Sequence, residues 1–182
     1  MLKIKKNGKE YLPADDGISH INAYSRSNTV LGRWLSNFAS TQVELEFGVF
    51  ASLEALYHYL KIVRSYEVAG EVMPDEIEHA LERLKGMCGR NAQTLGRTLK
   101  QTVRQSGIRT MEEPDSVFNK RFTQGMCVKF MNDEDMLDNL LDTVDSGIPI
   151  LHYYVVNNDT IIHKPHYDWL VERIEDAISQ CS

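Results

Sequence analysis

The chain's 182 residues are enough to bury a real core and suit a single domain. A content of 42% hydrophobic, 25% charged and 9% aromatic residues is that of an ordinary globular protein. The net charge of −6, with a pI of about 5.5, excludes broad phosphate neutralisation along a long nucleic acid and leaves room only for a local basic pocket.

No stretch approaches the ~20 apolar residues of a membrane span, and no N-terminal run has the order of a signal peptide, so a cytoplasmic protein with no membrane partner is expected. Cys88, Cys127 and Cys181 are odd in number and form no Cys-x-x-Cys, which fits a reduced compartment.

Residues 1–12 read as a hairpin: Leu2 and Ile4 alternate with lysines, and Asn7-Gly8 is a strong two-residue turn signal. After Pro13 and the Asp15-Asp16-Gly17 turn, residues 18–24 form a candidate strand. Residues 31–38 read as a turn holding Trp34, Ser36, Asn37 and Phe38. Asn37 is either an ordinary turn residue bonding its own backbone or part of a pocket rim. In the second case Trp34 and Phe38 stack a planar base; both aromatics are equally compatible with a core position.

Val43, Leu45, Phe47 and Val49 alternate with Glu44, Glu46 and Gly48, so residues 42–50 are a half-buried strand or tight hairpin. It leads into a helix with Ser52 as N-cap. On that helix Glu54, His58, Lys61 and Ser65 share one face at i, i+4, i+7 and i+11, beside an apolar face of Leu53, Leu56, Leu60 and Val63. The polar face is either a solvated surface or the wall of a cleft.

Pro74, followed by Asp75 and Glu76, opens a helix with Ile77, Leu81 and Leu84 inward. Another helix spans 91–105, with Leu95, Leu99 and Val103 in line. Residues 115–131 carry Phe118, Phe122, Met126 and Phe130 as a core stripe, and Met136 to Val144 make the next amphipathic helix. A strand over 148–156 and a helix over 165–178, with Trp169, Leu170, Ile174 and Ile178 inward, complete the chain. The expected fold is α+β and predominantly helical, with a small β portion. His152, His163 and His166 fit no zinc-ligand spacing, so no metal is expected.

Gly32, Trp34, Leu35, Ser36, Asn37 and Phe38, followed by Ser52, Glu54, Tyr57 and Lys61, resemble the signature of the NADAR family, also called YbiA-like. Its G-x-(W/F)-L-S-N-F turn precedes a β segment and a helix opening S-x-E-x-x-Y/F-x-x-x-K. Ala92, Gly96 and Arg97 resemble a further A-x-x-x-G-R segment. The resemblance implies a YbiA-like domain over 20–182, with residues 1–19 as an added hairpin. It also implies an N-glycosidase of ADP-ribose-linked or ribose-phosphate-linked bases that needs no cofactor. The substrate would be a small-molecule nucleotide or an ADP-ribosylated molecule, nucleic acid included.

Glu54 and Lys61 are then the expected catalytic residues. A carboxylate beside the anomeric carbon stabilises an oxocarbenium ion or takes a proton from the attacking water. Asn37 becomes a ribose or base ligand, with Ser36, Trp34 and Phe38 around it. Arg97 becomes the phosphate ligand, since guanidinium binds phosphate oxygens in a fork and Gly96 would let the group approach the helix backbone.

The family's glycine-rich loop with its Trp-Gly pair is missing: residues 157–168 contain no glycine. Asn158 or Asp159 is the candidate replacement anchor. Either His163 and His166 rebuild the pocket or the activity is changed, which keeps a non-catalytic ADP-ribose or NAD-binding module, and an interaction protein retaining only the fold, as alternatives.

Overall fold

A computed structural model of the chain describes residues 3–156, 160–163 and 167–181. The fold is α+β and predominantly helical. In chain order the elements begin with β1 (Ile4–Lys6), β2 (Lys9–Tyr11), β3 (Ile21–Asn22), α1 (Val30–Leu35), β4 (Val43–Leu45), β5 (Gly48–Phe50) and α2 (Leu53–Ala69). They continue with α3 (Asp75–Lys85), α4 (Gly89–Gln105), α5 (Ser116–Met131), α6 (Glu134–Asp145), β6 (Ile150–Leu151), β7 (Tyr154–Val156), β8 (Thr160–Ile162) and α7 (Asp168–Cys181). The chain divides into two compact units, one formed by Met1–Ser36 with Phe130–Ser182 and the other by Asn37–Lys129.

In the discontinuous unit, β1 and β2 pair antiparallel across Asn7 and Gly8, both at positive φ (51° and 76°) as the tight hairpin turn requires. Ile4 is buried with Leu151 and Tyr153, so the hairpin shares a core with the end of the chain.

The strand expected over 18–24 shrinks to β3, which pairs parallel with β6. The cause is the Asp16 carboxylate, which accepts from the backbone of Asn22 and Asn28 and from the Ser27 hydroxyl, and so bends the chain into a loop on either side. The turn expected over 31–38 begins as a short helix instead. Thr29 caps α1 by accepting from the Gly32 N–H at 2.9 Å, a local signal that the aromatic pattern obscured.

The single strand expected over 148–156 is two. Asn22 bonds both the N–H and the C=O of Tyr153, and the His152 ring meets the Ala23 carbonyl at 2.7 Å. These contacts part β6 from β7, which pairs antiparallel with β8. Helix α7 buries Leu170, Ile174 and Ile178 and leaves Trp169 half-buried.

In the continuous unit, the β4–β5 hairpin feeds α2 as expected. Leu53, Leu56 and Leu60 of α2 are buried, as are Leu84 of α3, Leu99 and Val103 of α4, and Phe118, Phe122 and Met126 of α5. Two glycines set how closely the helices approach α2. A Cβ at Gly96 would lie 2.1 Å from Cγ of His58, and one at Gly125 would lie 2.3 Å from Cδ2 of Leu56. Among the described residues no helix is long and apolar enough to cross a membrane.

Candidate functional site

The site grows out of the start of α2. The Ser52 hydroxyl accepts from the Ala55 N–H at 3.2 Å and donates to the Met87 carbonyl at 2.9 Å, which caps the helix and ties it to the chain after α3. The polar face that follows is not solvated: Glu54, His58, Lys61 and Ser65 are 7%, 9%, 9% and 2% exposed. Burying such groups without partners is costly, so each has a local arrangement that accounts for it.

Glu54 meets His58 through Oε1 and Nε2 at 3.1 Å, a pairing that the i, i+4 spacing makes natural. Its backbone N–H donates to the Asn37 carbonyl at 2.9 Å, which pins Asn37 beside the first turn. The Asn37 side-chain oxygen is buried, and no donor among the described residues reaches it. Tyr57 packs edge-on to the His58 ring, and its phenol is pushed up to about 12, first by burial and then by the Glu54 carboxylate.

Lys61 lies further along the same face. Its Nζ donates to the Glu112 carbonyl at 3.0 Å and sits 5.1 Å from the centre of the Tyr57 ring. Its proton is loosened, chiefly by burial, with Glu112 opposing and Arg104 adding to the effect. Ser65 donates to the Lys61 carbonyl and accepts from the Met111 N–H, fixing the segment that covers Lys61.

Of the expected set, Asn37 adjoins Glu54 through that backbone bond, and Lys61 stands two turns further along α2. Phe38 lies beside the first residue of α4, its ring 3.9 Å from where a Gly89 Cβ would stand. Arg97 is exposed on α4 and has no hydrogen bond or ion pair among the described residues. The space at Gly96 given to a phosphate from sequence is filled by the His58 ring.

Trp34 and Ser36 belong to the discontinuous unit. There Trp34 stacks on Phe130 with centroids 5.1 Å apart, and Ser36 is buried at the end of α1. Asn158, Asp159 and His166 lie outside the described residues. His163 meets the Asp168 carboxylate at 3.3 Å.

Sequence reading placed His58 and Tyr57 without giving them a role, and it missed three further groups. His58 was visible as the i+4 partner of Glu54, and Tyr57 as its neighbour. Lys100 and Arg104 stand one turn apart on α4, and Arg104 reaches the Glu112 carboxylate at 3.2 Å while Lys61 bonds the carbonyl of the same residue, which only the fold reveals. Lys129 is fully buried at the end of the continuous unit, and burial pushes its ammonium down to about 7. Its signal was a lysine in line with Phe122 and Met126 on the apolar stripe of α5.

No family model, no curated protein and no solved structure matches the chain.

Proposed function

We propose that the protein is an N-glycosidase that hydrolyses the C–N bond joining a base to ADP-ribose or to a ribose phosphate, a reading shared with its resemblance to NADAR proteins. The observation that carries it is the buried Glu54–His58 pair at the start of α2, where the Asn37 backbone bonds Glu54 and the Asn37 side-chain oxygen is buried with no donor among the described residues. A buried acceptor calls for a donor, and a ribose hydroxyl supplies one.

Glu54 is the group that works at the anomeric carbon. Water attacks that carbon, Glu54 takes the water's proton, and the electrons of the C–N bond leave with the base, which is then protonated. His58 orients the carboxylate, and Lys61 provides the positive charge of the site. A cytoplasmic location belongs to the same proposal and rests on the reduced compartment that the cysteine pattern fits.

The test is base release from ADP-ribosylated bases, ADP-ribosylated DNA, NAD and ribose-phosphate aminopyrimidines, followed by chromatography. Release of free base from at least one of them is the expected result. Tight binding of ADP-ribose with no release from any of them would replace the enzyme by a binding module.

A further inference from the structure

Among the turns before α1, one cavity holds two opposite charges that do not meet. The Asp16 carboxylate is 7% exposed and is held by three neutral donors. Its Oδ1 accepts from the Asn22 N–H at 2.9 Å, and its Oδ2 accepts from the Ser27 hydroxyl and the Asn28 N–H, both at 2.8 Å. Oδ1 therefore keeps a lone pair, since a carboxylate accepts about four bonds. His20, joined to Asp16 by an isolated bridge, turns its ring nitrogens to the Ser19 hydroxyl and the Tyr153 phenol instead. Asp16 thus has no ion pair among the described residues, and a buried charge without a counter-charge is costly.

Arg26 supplies the opposite charge. The Ser27 N–H donates to the Tyr24 carbonyl at 2.9 Å, which closes a turn with Arg26 at its corner, and the Ser27 hydroxyl ties that turn to Asp16. Arg26 is exposed, and its guanidinium has no hydrogen bond or ion pair among the described residues. Asp16 and Arg26 both line a cavity of about 310 Å³, at the small end of the ~300–1,000 Å³ usual for ligand pockets. Pro13, Ala14 and Val155 give it an apolar wall, and the Asn22–Tyr153 bonds hold its two chain segments together.

We propose that this cavity binds an aliphatic α-amino acid, its ammonium donating to Asp16 and its carboxylate accepting from Arg26. A zwitterion supplies both partners at once, whereas a lone cation would meet Arg26 and a lone anion would meet Asp16. The guanidinium suits a carboxylate because it donates in a fork. The site lies wholly within the discontinuous unit and does not depend on the glycosidase reading.

Calorimetry with L-leucine tests the site. N-acetyl-L-leucine, which lacks the ammonium, and L-leucinamide, which lacks the carboxylate, are titrated in parallel. Leucine is expected to bind the wild-type chain, and each derivative to bind about tenfold more weakly or worse, as expected for loss of a charge-assisted hydrogen bond. Arg26→Gln should weaken leucine by about the same factor and leave leucinamide unchanged. A misfolded variant would lose both.

Absence of leucine binding to the wild-type chain would overturn the site, as would either derivative binding as well as leucine, or Arg26→Gln weakening leucine and leucinamide alike. The two readings fail separately. Base release without leucine binding removes the amino-acid site and keeps the glycosidase, whereas leucine binding without base release does the reverse.

Discussion

Glu54 keeps its carboxylate against the His58 imidazole, while Lys61 keeps its ammonium over the Tyr57 ring and against a peptide carbonyl. The two side chains therefore have separate partners. A third buried charge, Lys129, lends itself to a pH test. The folded chain releases the Lys129 proton near pH 7, whereas an unfolded lysine holds its proton to about 10.5. Between those values the unfolded state binds more protons, so stability rises with pH, by about 1.4 kcal/mol per unit for one such group. Below about pH 7 both states are protonated and the slope disappears. Urea unfolding of wild type and Lys129→Met should therefore show the wild type gaining on the variant between about pH 7 and about pH 9. Parallel profiles would mean that Lys129 titrates normally.

At the scale of elements, the site depends on how α4 closes on α2. Gly96 faces the root of the His58 ring, which cannot bend away, whereas Gly125 faces the free end of Leu56, which can. Gly96→Ala should cost about 1–3 kcal/mol by overpacking, more than Gly125→Ala, and should also disturb the Glu54–His58 contact. Chemical denaturation of both variants checks the order, and a larger loss at Gly125 would contradict it.

The helices were legible because their signals are local. Ser52 caps α2, Pro74 precedes α3, and Phe118, Phe122 and Met126 line α5. The polar face of α2 was legible too, but its burial was not, since burial depends on what packs over it. The breaks at Asn22 and Tyr153 were hidden for the same reason. They are made by side-chain bonds between residues 131 apart in sequence.

For the whole molecule, a net charge of −6 leaves only local positive charge as a candidate for any phosphate contact. Lys61 and Arg104 both reach Glu112, one its carbonyl and the other its carboxylate, a meeting that their positions in the sequence do not reveal. Arg97, chosen from the resemblance, stands exposed on the same helix as Arg104.

The central claim is that Glu54 acts on a bound glycoside. The most direct measurement is base release by Glu54→Gln alongside wild type, with ADP-ribose affinity determined for both proteins. The account predicts that Glu54→Gln binds ADP-ribose as wild type does and loses release by a factor of about 10² to 10⁴, the usual worth of a positioned acid or base. Release at the wild-type rate from Glu54→Gln would contradict it.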